Sequence, residues 1–261
     1  MAYRIQQLYV YPIKGIAGNS VNEAYAEEMG FRYDRRWLIT NEKGRFLSQR
    51  THPELVKISA EIGEHDMVVK HGDVKLVVPF DQHSENHLEA EVWNHMIKSY
   101  EVSKMASEWF SDILSEKVLF VTRGEDSERK KSLIKYPYTS EVSYADGYPY
   151  LGLGSASLED LSNRLNRSIN ALAFRPNIVF DTTIPYEEDD FDHLSVNEVK
   201  LRGIKPCARC QVVDIDPLTG VSTKGTLATL AGYRRKGNNV YMGVNMICRK
   251  EGWLRVGDVM K

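Results

Sequence analysis

Cysteine is scarce in this sequence: the chain has three, an odd number, and its N-terminus lacks a basic stretch followed by an apolar core. Without such a secretory signal there is no sign of an oxidising compartment, so we do not expect a disulfide framework. No apolar run approaches the roughly 20 residues that a membrane-spanning helix needs. We therefore expect a cytoplasmic protein that keeps its thiols reduced and does not enter a membrane.

An excess of charge of one sign is also missing. The formal net charge is -2 at pH 7, which gives no electrostatic reason to expect nucleic acid or an anionic membrane as a partner. The sequence shows neither internal repeats nor low-complexity tracts. Its composition is ordinary for globular proteins, and its 261 residues suffice for one large domain or two modest ones.

Short strand-like segments separated by turn residues dominate the pattern. Residues 37–40 and 45–47 flank a four-residue loop that ends in Gly44, which predicts a hairpin, and a second hairpin is predicted around 71–73. Further strands are predicted at four C-terminal segments: 177–180, 198–201, 211–215 and 240–248.

Apolar residues at helical spacing predict two helices. The second is expected to begin at Ser157 with a capping-box-like start. The first presents an apolar face made of Met105, Trp109, Phe110, Ile113 and Leu114. The fold class is therefore mixed α/β and predominantly β, with two β-barrel-like halves and a few helices.

A charged stretch without any apolar period, 123–131 (RGEDSERKK), separates these two halves. Such a segment is typical of a linker or a solvated surface loop. We therefore predict one β-barrel-like domain over 1–122 and a second domain over 123–261.

The motif Cys207-Ala208-Arg209-Cys210 is the strongest candidate for chemistry. Tetrahedral zinc would need two more ligands, and Cys248 stands alone and is expected to point into the core. A thioredoxin-type redox pair would open a helix after a strand, whereas this motif precedes the strand predicted at 211–215. A third interpretation is one thiolate ligand to a soft metal whose other ligands come from a cofactor. From the spacing alone, two small buried residues explain the motif equally well.

Several polar and cationic residues adjoin predicted strands, where rigid scaffolds usually present ligand contacts. Arg175 and Asn177 flank a proline and offer a guanidinium fork and an amide, which suit a phosphate or a heterocycle edge. The ordinary explanation of Arg175 is a pair with a carboxylate. Lys14 and Arg35 are cations at strand ends, and residues 143–149 form a polar, aromatic loop that is otherwise explained as a turn.

Taken together, these segments resemble the MOSC superfamily, named for the C-terminal domain of molybdenum-cofactor sulfurases. The closer resemblance is to the two-domain branch, a MOSC N-terminal β-barrel domain followed by a MOSC domain, which contains the mitochondrial amidoxime-reducing components and their bacterial relatives. The resemblance covers nearly the whole chain, and its motifs occur in order: YPIKG (11–15), DRRW (34–37), VSYADGYPYL (142–151), SLEDLSNRL (157–165), FRPN (174–177), CARCQVVDIDPLTG (207–220) and VGD (256–258).

The resemblance implies that Cys210 is the protein ligand of molybdenum, with the other sulfur ligands coming from molybdopterin. It also implies that Asp146 faces the cofactor, and this carboxyl group is our candidate proton donor. The remaining residues that the resemblance assigns to cofactor binding are Lys14, Gly15, Arg35, Gly147, Tyr148, Arg175, Asn177 and Arg209. Glycine at 15 departs from the family pattern of a serine, so a side-chain hydroxyl contact is lost and only the backbone N–H remains. Gly147 and Tyr148 replace two small hydroxyl residues, which changes the expected shape of the substrate opening.

The function implied by the resemblance is a molybdenum-cofactor-dependent oxidoreductase that reduces N-hydroxylated compounds, namely hydroxylamines, amidoximes and N-hydroxylated bases. Because the cysteines are too few for an added iron–sulfur domain, electrons are expected from a separate donor protein of the flavoprotein or ferredoxin type. Two alternatives stay open. One is a non-catalytic carrier of the cofactor or of sulfur that uses Cys210, and the other is a metal-free protein that binds oxidised bases.

Overall fold

Strands dominate the computed structural model, which describes residues 2–124, 127–132 and 139–261. In chain order the strands of these residues are β1 (Tyr3–Val10), β2 (Asn19–Val21), β3 (Glu23–Glu27), β4 (Gly30–Phe31), β5 (Trp37–Asn41), β6 (Ile58–Ile62), β7 (Asp66–His71), β8 (Val74–Pro79), β9 (His87–Val92), β10 (His95–Glu101), β11 (Val118–Arg123), β12 (Lys130–Ser132), β13 (Thr139–Glu141), β14 (Tyr150–Gly154), β15 (Ile178–Asp181), β16 (His193–Val196), β17 (Val199–Arg209), β18 (Arg235–Lys236), β19 (Asn239–Lys250), β20 (Gly252–Arg255) and β21 (Val259–Met260). The predicted class, mixed α/β and predominantly β, is confirmed.

Helices are few in the described part of the chain, and none of them is long and apolar enough to cross a membrane. The α-helices are α1 (Lys104–Leu114), α2 (Ser155–Leu165) and α3 (Thr226–Arg234), and short 3-10 helices lie at Pro53–Lys57, Ala171–Phe174, Glu187–Asp190 and Gln211–Asp214.

The N-terminal strand completes a sheet that is built mostly from the C-terminal part of the chain. In this nine-stranded sheet the main order is β16-β17-β19-β14-β15-β1-β2. Ile5 and Leu8 of β1 share one apolar core with Tyr150, Phe180 and Met246, and burial of these side chains ties the start of the chain to the second half. Strands β1 and β2 therefore belong to the sheet of the second half, and the domain boundary at 123 stays a prediction.

A second core lies within the stretch between β1 and the charged segment. It is covered by the sheets β5-β11-β10-β9 and β6-β7-β8 and by helix α1. Both predicted hairpins are present. The Asn41 N–H donates to the Arg45 carbonyl across the first, and β7 pairs with β8 across the second.

Helix α1 is present where the apolar spacing predicts it, and it buries most of the predicted face. The Ser103 hydroxyl oxygen caps it by accepting a hydrogen bond from the Ala106 N–H at 3.1 Å. The buried stripe consists of Ala106, Phe110 and Leu114, whereas Met105 is 61% exposed. Trp109 and Ile113 are partly buried and pack against the same core, so the predicted apolar face is confirmed except at Met105.

Helix α2 begins earlier than predicted. Its N-cap is Gly154, and Ser157 does not cap it, since the Ser157 hydroxyl donates to Glu188 Oε2 at 2.7 Å. Helix α3 was not predicted at all. Its sequence includes two threonines and Gly232, which have low helix propensity, and it forms because Leu230 packs into a core.

The surroundings of the CARC motif differ most from the sequence prediction. Strand β17 runs through Cys207 to Arg209, and the predicted strand at 211–215 is instead the 3-10 helix Gln211–Asp214. The motif therefore stands where a strand ends and a short helix begins, a position that is compatible with a redox pair. Cys248 on β19 is buried in the apolar core, as predicted.

The charged stretch at 123–131 is not the solvated linker that its composition indicates. Glu125 and Asp126 lie outside the described residues, but Ser127 and Arg129 are buried. A guanidinium group can be buried when its N–H groups find acceptors, and Arg129 finds them in backbone carbonyl groups of the loop that precedes β14.

Candidate functional site

All ten residues that the sequence assigns to a cofactor line one cleft. The cleft has a volume of about 450 Å³ and receives side chains from both ends of the chain. The predicted residues in its lining are Lys14, Gly15, Arg35, Asp146, Gly147, Tyr148, Arg175, Asn177, Arg209 and Cys210. The fold thus brings together motifs that are far apart in the sequence, while the role of each residue stays a prediction.

Lys14 is buried in the cleft beside the start of β5. Its backbone N–H donates to the Trp37 carbonyl at 2.9 Å, which holds the backbone of Lys14 against β5. The ammonium group forms an ion pair with Asp146 Oδ1 and lies 5.2 Å from the centroid of the Phe46 ring. Burial lowers the pKa of Lys14, and the charge of Asp146 opposes this only in part.

Asp146 faces the cleft with 68% of its side chain exposed. Its Oδ1 accepts hydrogen bonds from Lys14 Nζ and, at 2.9 Å, from Trp93 Nε1. The surrounding protein tends to raise the pKa of Asp146, but the Lys14 charge and these hydrogen bonds outweigh that effect and hold the pKa well below its usual range. A carboxylate that stays ionised has no proton to give, so the geometry does not support the prediction that Asp146 is the proton donor.

Two guanidinium groups that line the cleft lie against the ring of Tyr11. The Cζ atoms of Arg35 and Arg175 lie 4.2 and 4.3 Å from the centroid of its ring. Tyr11 is fully buried, and its hydroxyl donates to the Pro176 carbonyl at 3.0 Å. Stacking on a fixed ring holds both guanidinium planes without neutralising their charges. Both arginines also have left-handed backbone conformations, with φ of 49° and 55°.

The two arginines differ in how their charges are balanced. Arg35 Nη1 donates to Asp34 Oδ2 at 2.6 Å and to Asn177 Oδ1 at 3.1 Å. Arg175 Nη1 donates to the Ile16 carbonyl at 2.7 Å, and its Nη2 is buried without a hydrogen-bond partner in the part of the chain that the structure describes. Burial, with the nearby Arg35 charge, lowers the pKa of Arg175 to about 10, so it stays charged at neutral pH. Arg175 is therefore not explained by a carboxylate partner.

Asn177 lies at the floor of the cleft, but its amide group is used inside the protein. The residue is 1% exposed. Its Oδ1 accepts from Arg35 and, at 3.2 Å, from the Leu151 N–H, while its Nδ2 donates to the Tyr9 carbonyl at 3.3 Å. This geometry favours a positioning role toward Arg35 over the predicted direct contact with a cofactor.

Cys210 is exposed and lines the cleft at the N-cap of Gln211–Asp214, whereas Cys207 is partly buried. Arg209 Nη1 lies 3.2 Å from the Cys207 sulfur, and Arg209 Nη2 donates to the Phe174 carbonyl at 2.6 Å. Arg209 Nε is buried without a partner among the described residues. Over residues 2–124, 127–132 and 139–261, no three His, Cys, Asp or Glu side chains are grouped to hold a metal ion, which gives the zinc interpretation no ligand set.

Gly15 and Tyr148 depart from the family pattern, and the structure shows the local surroundings of each. Gly15 has a φ of +96°, a conformation that glycine adopts without strain, and its carbonyl accepts from Gln49 Nε2 at 2.6 Å. Tyr148 lies next to Gly147, is half-buried, and has Lys205 Nζ 5.5 Å from its ring centroid. Burial raises the pKa of Tyr148, so its hydroxyl stays protonated at neutral pH.

Residues 2–117 match the MOSC N-terminal beta barrel domain, and residues 139–261 match the MOSC domain. The chain belongs to the MOSC family. The resemblance inferred from the sequence motifs is thereby confirmed, while the predicted domain boundary falls between the two matched segments and is not tested by them.

Relatives of this MOSC protein extend the match over nearly its whole length. Mitochondrial amidoxime-reducing component 1 of Mus musculus is 33% identical across 97% of this chain and 80% of its own length. Mitochondrial amidoxime reducing component 2 of Homo sapiens is 32% identical across 97% of this chain and 82% of its own length. The MOSC protein is thus similar to proteins that are named for the reduction of amidoximes.

The cleft of this MOSC protein is strongly cationic. Its lining in the described part of the chain contains one carboxylate, Asp146, and six lysine and arginine side chains: Lys14, Arg35, Arg50, Arg175, Lys205 and Arg209. Only some of this charge is balanced locally, by Asp146 and by Asp34. An excess of cations with free donors favours an anionic ligand.

The sequence does not indicate two residues that shape the loop at 143–149. Arg129 donates to the carbonyl groups of Ser143 and Asp146 at 2.8 and 2.9 Å, and no sequence signal separates it from its charged neighbours. Trp93, which holds the Asp146 carboxylate, stands in the turn between β9 and β10. The sequence predicts no turn at this position, so no signal separates Trp93 from an ordinary apolar residue.

Proposed function

We propose that this protein is a molybdenum-cofactor-dependent reductase of N-hydroxylated compounds. The observation that carries the proposal is the exposed thiol of Cys210 in the same cleft as six cationic side chains. A thiolate is a suitable single ligand for a soft metal, and the cations suit an anionic organic group that supplies the other ligands. The names of the relatives supply the class of substrate.

The lining fits molybdopterin, which is anionic and phosphorylated. Two buried guanidinium nitrogens in it, Arg175 Nη2 and Arg209 Nε, have no hydrogen-bond partner among the described residues. Leaving a buried charged donor unsatisfied costs free energy, and an anion in the cleft would remove that cost. We infer that Lys14, Arg35 and Arg175 hold the charged end of the cofactor.

The chemistry requires two electrons and two protons for each substrate molecule. For an amidoxime the N–O bond breaks, the nitrogen is reduced, and the products are an amidine and water. Molybdenum, when bound, would supply two-electron redox chemistry and an acceptor for the oxygen atom. The side chains of this protein bind and orient: Cys210 gives the metal a thiolate, and the Lys14–Asp146 ion pair fixes the loop that faces the reacting atoms. Electrons come from a separate donor protein, and we keep the expectation of a cytoplasmic location as part of the proposal.

The test combines metal analysis with turnover. We expect protein purified from cells that make the cofactor to contain stoichiometric molybdenum and pterin, and to reduce benzamidoxime to benzamidine with a chemically reduced viologen as electron donor. Protein that holds molybdenum and pterin but never turns over would support the carrier alternative. Protein that holds neither, under the same growth conditions, would overturn the assignment.

Replacing Arg175 with lysine should separate binding of the cofactor from chemistry. Lysine keeps the positive charge but loses the planar fork of donors and the stacking on Tyr11. By analogy with residues that support metal ligands, we expect the molybdenum content of Arg175→Lys protein to fall about tenfold, with nearly normal turnover per bound molybdenum. Arg32→Lys, on the surface outside the cleft, is the control. Full occupancy with collapsed turnover would place Arg175 at the substrate instead.

A further inference from the structure

Trp93 occupies a position that the turn itself does not favour. Strands β9 and β10 pair up to Val92 and His95, so the hairpin is closed by Trp93 and Asn94 alone. Two-residue hairpin turns are normally built from glycine, asparagine or aspartate, because these residues tolerate positive φ. Trp93 has a φ of 57°, a left-handed conformation that is strained for a bulky side chain. Strain of this kind is concentrated at functional sites.

The indole ring of Trp93 is held in one orientation over the cleft. Its Nε1 donates to Asp146 Oδ1 at 2.9 Å, and the Arg50 guanidinium carbon lies 4.6 Å from the ring centroid. The Phe46 ring supports it with centroids 5.7 Å apart. In spite of these contacts 43% of Trp93 remains exposed, and the residue lines the same cleft as Cys210. The ring is therefore both fixed and accessible, which are the properties of a stacking surface.

We propose that Trp93 is a specificity-determining residue that stacks on the aromatic or heteroaromatic part of the substrate. The inference rests on the proposed function for the class of reaction. It adds the residue that favours, among N-hydroxylated compounds, those in which a planar ring carries the reacting group. A flat ring against the indole gains dispersion and quadrupole contacts that an aliphatic group of the same reactivity does not gain.

The experiment uses a pair of compounds that share one reacting group. Benzamidoxime and acetamidoxime differ only in a phenyl or a methyl substituent, and both are bound without being consumed when no electron donor is present. Their dissociation constants are measured by calorimetry on protein with matched molybdenum content, and kcat/KM is then measured with a reduced viologen. Because binding is measured without turnover, the inference is tested even if the protein reduces neither compound.

In Trp93→Gly protein we expect the preference for benzamidoxime over acetamidoxime to fall about tenfold, the upper end for an aromatic pair. Both compounds lose the support that Trp93 gives to Asp146, but only benzamidoxime also loses the stacking contact. Glycine relaxes the strained turn, so this variant should fold. Trp93→Phe keeps a ring but loses the hydrogen bond to Asp146, and it should retain most of the preference. Trp253→Ala removes an exposed tryptophan of β20 outside the cleft lining and should match the wild type.

The outcomes distinguish failure of the inference about Trp93 from failure of the proposed reaction. Equal losses for both compounds in Trp93→Gly, or a loss in Trp93→Phe as large as in Trp93→Gly, would show that Trp93 only positions Asp146 and would overturn the inference. Wild-type protein that binds both compounds equally well would also overturn it. Preferential binding of benzamidoxime that depends on Trp93, without any reduction, would support the inference and reject the proposed reaction.

Discussion

Replacing Cys210 with serine is expected to reduce the turnover of an N-hydroxylated substrate by more than about 100-fold, beyond the 10- to 100-fold typical of losing a residue that merely supports a metal ligand. Serine has nearly the same size, but its oxygen is a harder ligand than a thiolate and suits a soft metal poorly. Cys210 is exposed, so the substitution leaves no buried cavity and should not lower the melting temperature. The measurements are turnover, molybdenum content and melting temperature on the same preparation.

Cys207→Ser is the matched control, because it makes the same chemical change three residues away. Cys207 is partly buried in β17, and its sulfur contacts Arg209 Nη1, so we assign it to the support of the loop. We expect a loss of activity of no more than about tenfold in this variant. If both substitutions abolish activity equally, the two cysteines act as a redox pair or as joint ligands, and the assignment of a single thiolate is wrong.

The sequence predicts the composition of the site better than it predicts the local structure. Lys14, Arg175 and Cys210 belong to short motifs whose order resembles a known family. Such motifs can be recognised even where the secondary structure around them is predicted wrongly. The segment after Cys210 illustrates this. Its apolar residues predict a strand, yet the chain forms a 3-10 helix because Val213 packs against a core that no local pattern reveals.

Residues that act through distant partners could not be predicted from the sequence. Arg129 stands in a run of charged residues, and its burial depends on carbonyl groups of a loop that approaches only in the folded state. The prediction of Asp146 as the proton donor does not take account of its charge partner, Lys14, which is 132 positions away in the sequence. In both cases the local sequence gives the chemical group, while its protonation or exposure is set by tertiary contacts.

The buried charges around Arg35 should also determine the stability of the protein. Asp34 is 1% exposed, and its carboxylate accepts hydrogen bonds from Arg35 Nη1 and, at 2.8 Å, from the Tyr11 N–H. Arg35 is itself buried and lies on the same aromatic ring as Arg175. Removing the Asp34 charge therefore leaves two neighbouring guanidinium groups with no carboxylate to balance Arg35, in a place where water screens poorly.

In Asp34→Asn protein we expect the free energy of unfolding to fall by about 3–5 kcal/mol, the range for breaking a buried ion pair from one side. For a chain of this size that corresponds to a drop of about 10 °C in melting temperature. Glu23→Gln is the control and makes the same change in an exposed ion pair. Glu23 and its partner Arg255 are 49% and 58% exposed, so this substitution should cost less than about 1 kcal/mol.

Inorganic phosphate should raise the melting temperature of Asp34→Asn more than that of the wild type, because a bound anion replaces the lost charge. Calorimetric unfolding with and without phosphate measures both effects. A loss no greater than that of Glu23→Gln would mean that Arg35 does not need its carboxylate, and the cleft would then hold less unbalanced charge than its arginines indicate.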